Sequence, residues 1–440
     1  MTFRLRTSLV AAATAAALGL GAGPAAAAEI QFWHAMSNRL NELLDEQVAK
    51  FNESQDEHTV VATNKGNYSE ALNAGIAAFR AGEQPTLLQV FEVGTATMMN
   101  AEGAIKPVHE LMAETGAEFD PSAYLAAVAG YYTTTEGDML SLPYNSSTPV
   151  LYVNDDALAE AGAADMPLET WDDVGAVLAK LEESGVDCPM TTAWQSWIHL
   201  ENLSAYHDVP FASQENGFAG VDTELELDGE TQVRHVGTLG EWAADGRFVY
   251  AGRRNEGGAR FRSGECALFT ESSAGYAGVA AEAEFDFSIH PLPHYDDVEG
   301  APQNTIIGGA SIWVMAGKDD EEYEAAAAFL SFLSTPDIQA QWHQDTGYLP
   351  ITTAAYEQTK ASGFYEENPG TDIAIVQMTG EAPTANSKGI RLGNFDQIRA
   401  VIDEELEAVW AGDKTAEEAM GSAAERGDEL LRRFERTAGR

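Results

Sequence analysis

The sequence predicts an α/β protein built from two units. Short apolar or β-branched runs alternate with amphipathic helical stretches in two separate parts of the chain. The chain has 440 residues, which is more than one ordinary hydrophobic core accommodates. No repeat with a period of about 20 to 50 residues is present, which argues against a solenoid or a propeller.

The N-terminal segment has the layout of a secretory signal peptide. Arg4 and Arg6 precede a long apolar stretch, and the small residues Ala26 to Ala28 follow it. We therefore predict a signal peptide over residues 1–28, cleavage before Glu29, and an exported, periplasmic protein. The two arginines are not adjacent, which disfavours a twin-arginine signal, and no later run of about 18 apolar residues predicts a membrane span.

The first unit follows the signal. The segment "EIQFWHAM" predicts a strand, Ser37 or Asn38 caps the helix after it, and "HTVVATN" predicts a second strand. "YSEALNAGIAAFRAG" predicts a helix that ends at Gly82, and "PTLLQVFEV" is apolar nearly throughout, as a buried parallel strand is. This alternation predicts a parallel sheet covered by helices.

The second unit repeats the pattern, and a helical end follows it. "TWDDVGAVLAKLEESG" and "TQVRHVGTLGEWAADG" predict helices, while "VDCPMTTA" and "GECALFT" predict strands. "NTIIGGASIWVMAG" reads as a strand with two glycines, and "EEYEAAAAFLSFLS" as a helix. Two further amphipathic helices are predicted over residues 394–412 and 415–436.

Ligands of open α/β sheets bind beyond the carboxyl ends of the strands. The residues at or after the predicted strand ends are Trp33, His34, Tyr68, Glu92, Ser272 and the pair Gly308–Gly309. They offer hydroxyls, aromatic rings, a carboxylate and backbone N–H groups, without a nucleophile and its base. Common hydrolase, zinc and phosphate-loop motifs are also missing from the sequence, so we expect no catalytic residue, no metal and no cofactor.

The charge is strongly acidic, with 25 Lys and Arg against 70 Asp and Glu and a net charge of −45. The acids are scattered, which indicates a solvated acidic surface, and nucleic acid or an anionic membrane is a poor partner for such a field. Cys188 and Cys266 belong to no CxxC motif. In an exported chain they can form a disulfide if their strands are neighbours, and two separate buried thiols are the alternative.

Three tryptophans lie close together in the second unit: Trp171, Trp194 and Trp197. Each is either a core residue or an aromatic wall for a ligand, and the polar neighbours in "WQSWIHLEN" favour a cleft for Trp194 or Trp197.

The chain resembles the periplasmic solute-binding proteins of ABC importers, in their large carbohydrate-type class. The segments "LPYNSSTPVLYVNDDAL", "TWDDV" and "FLSFLSTPDIQAQWHQDTGYLPIT" carry this resemblance. The segments "KGNYSEALNAGIAAFRAG", "FEVGTATMM", "WQSWIHLEN", "APQNTIIGGAS" and "KGIRLGNFDQIR" are similar to those of the members that bind sn-glycerol-3-phosphate. The resemblance implies a two-lobed type II periplasmic-binding-protein fold with discontinuous lobes and a hinge.

The resemblance also implies a set of ligand-binding residues in this chain. They are Tyr68, Glu92, Ser147, Trp171, Ser272, Gly309, Tyr348 and Arg399. In this interpretation the Arg399 guanidinium, the serine hydroxyls and a backbone N–H at Gly309 bind a phosphate, while Glu92 accepts from glycerol hydroxyls. "SLPYNSSTPVLYVN" then reads as the first crossing between lobes, although a plain turn would use the same residue types.

The lobes are expected to comprise residues 29–147 and 306–345 (lobe 1) and residues 148–305 and 346–440 (lobe 2). The expected ligand is sn-glycerol-3-phosphate or a glycerophosphodiester such as glycerophosphocholine, and the expected partners are the permease subunits of an ABC importer, with the protein itself a monomer. A neutral oligosaccharide is an alternative ligand, and an exported phosphate-ester hydrolase is the alternative from a different functional class.

The acidic surface leads to a prediction about salt. Raising the salt concentration from about 0.05 M to about 1 M shortens the Debye length to about 3 Å and screens repulsion among the surface acids. The melting temperature should therefore rise, and association with an anionic ligand should speed up or stay unchanged. Melting curves and stopped-flow binding at both salt concentrations measure this, and association that slows markedly with salt would reveal an attractive field at the site.

Overall fold

The computed structural model describes residues 28–101 and 103–438, so the predicted signal peptide, apart from Ala28, lies outside the described residues. The strands are β1 (Ala28–His34), β2 (His58–Asn64), β3 (Leu87–Phe91), β4 (Ile105–Lys106), β5 (Leu142–Ser147), β6 (Pro149–Asn154), β7 (Cys188–Thr192), β8 (Cys266–Ser272), β9 (Phe287–His290) and β10 (Gly308–Met315). The helices of the first half are α1 (Asn38–Ser54), α2 (Tyr68–Ala81), α3 (Thr95–Met99), α4 (Val108–Thr115), α5 (Ala126–Ala129), α6 (Asp155–Ala161), α7 (Trp171–Glu183), α8 (Leu203–Tyr206) and α9 (Ser213–Gly217). Those of the second half are α10 (Glu230–Ala244), α11 (Gly257–Arg262), α12 (Tyr276–Glu282), α13 (Asp320–Leu333), α14 (Pro336–Thr346), α15 (Thr353–Ala361), α16 (Phe364–Glu367), α17 (Ile373–Thr379), α18 (Phe395–Trp410) and α19 (Ala416–Glu435). No helix within the described residues is both long and apolar enough to cross a membrane.

The strands form two separate sheets. The first has the order β2-β1-β3-β10-β4, with β5 also paired to β10. Its strands β1, β2 and β3 are parallel, as the sequence predicts, whereas β10 is antiparallel to β3 and β5. The second sheet has the order β7-β8-β6-β9, in which β7 and β8 are parallel and β6 is antiparallel to its neighbours. The two predicted α/β units are confirmed.

Local hydrogen bonds at helix ends explain where the main helices begin and end. Asn67 caps α2 in a reciprocal capping box with Glu70, and Gly82 ends this helix in the left-handed region (φ 74°), as predicted. Thr170 caps α7 in the same way with Asp173. Ser37 occupies the N-cap position of α1, but its side chain makes no capping hydrogen bond.

The chain crosses directly from one sheet to the other within the segment that follows Ser141. Strand β5 of the first sheet ends at Ser147, and β6 of the second sheet begins at Pro149, so that Thr148 alone separates them. The predicted crossing is therefore confirmed. The chain returns between β9 of the second sheet and β10 of the first. These crossings place Ser147 and Gly308 where the sheets meet.

The helical C-terminus packs against the second unit. Helices α18 and α19 lie against each other and against α10, and their buried faces include Ile398, Ile402, Leu406 and Met420. These apolar positions recur at helical spacing, which is the pattern that predicts the two helices from sequence. The N-terminal turns of α18 reach the meeting place of the two sheets and bring Arg399 there.

Cys188 and Cys266 form a disulfide between neighbouring strands. They are directly opposite each other in the parallel pair β7 and β8, with their Cα atoms 4.5 Å apart and an S–S distance of 2.06 Å. The sequence allows either a disulfide or two separate thiols, and the structure contains the disulfide.

Replacing both cysteines by alanine should lower the free energy of unfolding by about 2–5 kcal/mol, because the bond links residues 78 positions apart and restricts the unfolded chain. Urea unfolding without reductant measures the loss. Reductant should reproduce most of the loss in the wild-type protein and change nothing in the double variant. Two thiols titrated in unfolded, unreduced wild-type protein would contradict the assignment.

Candidate ligand-binding site

A cavity of about 330 Å³ lies between the two sheets. It is bounded by the residues after β1 and β3, the N-terminal end of α2, the ends of β5 and β8, and the start of β10. The carboxyl ends of β1, β3 and β8 thus face one space, as the strand-end rule predicts. Seven of the eight residues predicted from the sequence line it, namely Tyr68, Glu92, Ser147, Ser272, Gly309, Tyr348 and Arg399.

The placement of Trp171 differs from the prediction. Its side chain is 1 % exposed and lies in the core of the second unit, with its ring centroid 4.6 Å from that of His235. Trp171 begins the apolar face of α7 and is followed at helical spacing by buried Val174 and Leu178. The assignment of Trp171 as an aromatic wall is therefore corrected, and Trp194 and Trp197 provide the indole rings of the cavity.

Two other strand-end residues also lie outside the cavity wall. His34 is buried, its Nδ1 accepts a hydrogen bond from the Met36 amide, and burial lowers its pKa to about 4. Trp33 is covered by the Lys65 ammonium, 3.7 Å from the ring centroid. The chain approaches the cavity slightly later, through Ala35 and Met36.

A buried group of three charges closes one part of the cavity, and we call it the Arg399 triad. Arg399 donates from Nη2 to Glu92 Oε1 at 2.7 Å, from Nε to Glu201 Oε1 at 2.8 Å and from Nη2 to Glu201 Oε2 at 2.7 Å. The three side chains are 12 %, 6 % and 2 % exposed in the order Arg399, Glu92, Glu201. With all three groups ionised, the triad carries one net negative charge.

The pKa shifts in the triad follow from burial and pairing. Burial raises the pKa of Glu92, and the neighbouring Arg399 partly offsets this effect. Burial alone would lower the pKa of Arg399, but Glu201 and Glu92 outweigh it and hold the pKa above its usual value. Arg399 is therefore a permanent cation whose charge two carboxylates already balance. Glu201 lies within the quoted segment "WQSWIHLEN", yet nothing in the sequence distinguishes it from the other acids.

The glycine pair at the start of β10 permits two close contacts. Gly309 has φ +100°, and a Cβ there would lie 1.8 Å from the carbonyl oxygen of Asn145. A Cβ on Gly308 would lie 2.5 Å from the ring of Trp197. Both positions thus require glycine for packing. The Asn145 side chain extends this contact, since its Nδ2 donates to Tyr68 Oη at 2.9 Å.

Neutral hydrogen-bond donors also line the cavity. Ser272 Oγ accepts from the Ala274 amide at 3.1 Å, which leaves its hydroxyl proton available. Trp197 Nε1 is buried and has no partner among the described residues. Burial raises the pKa of Tyr348 to about 12, so its hydroxyl stays protonated. Together with Ser147, these groups form a donor cluster suited to an anionic oxygen.

A second arginine of the wall, Arg254, was missed by the sequence reasoning. Its Nη2 lies 3.2 Å from Ser69 Oγ at the start of α2, and its guanidinium carbon lies 5.8 Å from the ring centroid of Trp194. Ser69 Oγ in turn donates to Asp396 Oδ1 of α18 at 2.7 Å. The backbone amide of Arg254 donates to Glu256 Oε2 at 2.8 Å, but its guanidinium forms no ion pair with a carboxylate in the described part of the chain. Two adjacent arginines in "GRRNEGG" are unusual in so acidic a chain, and this feature could have indicated a cation in the site.

Glu271 is a further ionisable residue of the wall that the sequence reasoning missed. It is 4 % exposed, its Oε1 accepts from the Ser272 amide at 2.7 Å, and burial raises its pKa to about 8. It directly precedes Ser272 on β8, but among 70 acids its position alone carries no information.

Comparison with known proteins agrees with this architecture. The family model of the bacterial extracellular solute-binding proteins matches residues 46–371. The sn-glycerol-3-phosphate-binding periplasmic protein UgpB of Yersinia pseudotuberculosis is 50 % identical over 412 residues, which cover 93 % of this chain and 94 % of that protein. UgpB of Salmonella typhimurium is 49 % identical over 411 residues, with 93 % and 94 % covered.

Solved structures share the fold at lower identity. UgpB of Mycobacterium tuberculosis, in complex with glycerophosphocholine, superposes with a TM-score of 0.78 at 20 % identity and covers 92 % of this chain and 99 % of its own. The acarbose-binding GacH receptor of Streptomyces glaucescens has a TM-score of 0.76 at 17 % identity, with 93 % and 99 % covered. The two sheets with a cavity between them are thus the two lobes of this fold. The chain belongs to the bacterial extracellular solute-binding protein family, in the branch of the periplasmic UgpB proteins.

Proposed function

We propose that this protein captures sn-glycerol-3-phosphate in the cavity between its lobes and delivers it to the permease of an ABC importer. The observation that carries the proposal is the convergence of seven predicted ligand residues on one cavity, in a chain half identical to proteins named for this ligand. The cavity offers the two kinds of partner that the ligand needs. These are a charged acceptor–donor pair for hydroxyls and a cluster of donors for a phosphate.

The Arg399 triad supports the recognition of the glycerol end. Arg399 and Glu92 present a cation and a carboxylate side by side in the wall, and a diol can accept from the first and donate to the second. A phosphate dianion at this place would meet Glu92 and Glu201, whose charges exceed that of Arg399. In this proposal Arg399 therefore acts at the hydroxyls, whereas the family resemblance implies a role at the phosphate.

The donor cluster supports the recognition of the phosphate end. Ser147, Ser272, Tyr348 and Trp197 supply neutral donors, and Arg254 is the lining cation without a carboxylate partner among the described residues. Neutral donors bind an oxyanion at little desolvation cost, and one guanidinium adds the charge-assisted contact.

Binding is coupled to closure of the lobes in this proposal. Lobe 1 comprises residues 29–147 and 306–345, and lobe 2 comprises residues 148–305 and 346–440. Ligand that contacts both lobes shifts the population toward the closed form, and the closed form presents both lobe surfaces to the permease. The protein acts as a monomer in the periplasm after removal of a signal peptide, and it performs no catalysis.

A glycerophosphodiester is the second candidate ligand. The observation that favours it is the presence in the wall of Glu271 and Arg254, which the glycerol end does not use. Calorimetric titration with sn-glycerol-3-phosphate, glycerophosphocholine and maltose distinguishes the two phosphate esters from each other and from a neutral oligosaccharide. Phosphate or choline released during prolonged incubation would instead indicate a hydrolase, and failure of both phosphate esters to bind would overturn the proposal.

Arg399→Ala should weaken sn-glycerol-3-phosphate binding by more than about tenfold, because losing one member of a buried charged pair costs about 2–5 kcal/mol. Calorimetry of the purified variant measures this loss. Arg253→Ala is the matched control, since Arg253 pairs with Glu407 away from the cavity wall and is 39 % exposed. Equal affinities of the wild-type protein and Arg399→Ala would contradict the assignment of the site.

The same substitution should also lower stability. Two buried carboxylates lose their cation, and such a loss costs about 3–5 kcal/mol in the free energy of unfolding. The triple variant Arg399→Met, Glu92→Gln, Glu201→Gln should regain much of this stability while remaining unable to bind. Urea unfolding of the two variants tests the point, and equal stability of both would mean that uncompensated charge is not the cause.

A further inference from the structure

The cavity wall contains two ionisable side chains outside the Arg399 triad, Arg254 and Glu271. The triad already balances Arg399 against two carboxylates. Neither Arg254 nor Glu271 has an oppositely charged group within ion-pair distance among the described residues. The remaining ionisable groups of the wall are thus one cation and one acid, and once Glu271 is ionised they complement a zwitterion better than a dianion.

Glu271 is held in the wall at a cost. Its carboxylate has one hydrogen bond from the protein backbone, while Arg262, a cation whose charge lowers the pKa of Glu271, is engaged by Glu282 at 2.8 Å. A buried carboxylate without a cation is expensive for the folded state. A ligand that carries its own cation would remove this cost on binding.

The surroundings of Glu271 fit an organic cation. Trp194 also lines the cavity, and its indole favours the ionised form of Glu271, which partly offsets the effect of burial on the pKa of that carboxyl. Aromatic faces attract ammonium groups, and tryptophan does so most strongly. Ser272, the next residue on β8, belongs to the donor cluster for the phosphate. A cation joined to that phosphate through a short ester therefore reaches Glu271.

We propose that Glu271 selects the headgroup of the ligand by receiving the quaternary ammonium of a choline phosphodiester, with Trp194 as its aromatic wall. This inference rests on the proposed function, because it places the phosphate at the donor cluster. Glu271 thereby favours a zwitterionic diester over the dianionic monoester. Arg254, the cation of the wall outside the triad, binds the phosphate of either ligand.

A proton balance follows from this arrangement. Burial raises the pKa of Glu271 to about 8, so most of the empty protein carries a proton there at neutral pH. Arg262 lowers this pKa and Glu256 raises it, while Arg254 shares the cavity wall. A bound ammonium lowers the pKa further and releases the proton, whereas a bound phosphate dianion retains it.

Calorimetry with sn-glycerol-3-phosphate and glycerophosphocholine tests the proposal in wild-type protein, Glu271→Gln and Glu284→Gln. Glu284 is exposed, and Glu284→Gln makes the same side-chain change outside the cavity wall. Glu271→Gln should weaken the binding of glycerophosphocholine by about tenfold or more. The affinity for sn-glycerol-3-phosphate should stay unchanged or increase. Glu284→Gln should change neither. Equal effects of Glu271→Gln on both ligands, or none on glycerophosphocholine, would overturn the assignment.

Calorimetric titrations of the wild-type protein at about pH 7, in two buffers of different ionisation enthalpy, give the number of protons released on ligand binding. This measurement requires no variant. Release of up to one proton with glycerophosphocholine and none with sn-glycerol-3-phosphate is expected. The same count for both ligands would overturn the proposal, even if Glu271→Gln does not fold. If the wild-type protein bound neither ligand, the result would instead contradict the proposed function on which this inference rests.

Discussion

The Arg399 triad is the interaction on which the site depends. Its three charges are almost completely removed from water, and each would be costly alone. Glu92 follows a strand of the first sheet, Glu201 belongs to the second unit, and Arg399 is delivered by a C-terminal helix. Three distant parts of the chain must therefore meet in one arrangement. The triad joins residues of both units and at the same time presents a polar pair to the cavity.

The charge balance of the triad determines how an anion can be bound. Because Arg399 is shared by two carboxylates, the proposed function places the phosphate at other donors of the wall. The wall also contains the donor cluster of hydroxyls and an indole, together with the cation Arg254. An acidic protein can thus collect an anion through short-range donors, while the repulsion of its surface acids acts over longer distances and is screened by salt.

The sequence predicts much of this architecture for physical reasons that can be named. β-Branched runs, capping residues and Gly82 mark the elements of the first unit, and the strand-end rule identifies Tyr68, Glu92 and Ser272 without any relative. Tyr348 and Arg399 follow helices or lie within them, so only the family resemblance indicates them. Trp171 was misassigned because an aromatic ring on the apolar face of an amphipathic helix packs into the core, as Trp171 does on α7.

Other members of the wall could not be predicted because their signal is common in this chain. Glu201 and Glu271 are two among 70 acids, and only their burial distinguishes them. Arg254 lies in an irregular loop, and its role depends on the contact with Ser69 from the other unit. Burial and contacts between distant segments are properties of the folded chain.

A crystal structure of the complex with sn-glycerol-3-phosphate tests the central claim most directly, namely that the two ends of the ligand are recognised by different parts of the cavity. The account predicts the glycerol hydroxyls on Arg399 and Glu92, and the phosphate oxygens within hydrogen-bonding distance of Ser147, Ser272 and the start of β10. A phosphate bound directly to Arg399, with the hydroxyls at the serines, would contradict it.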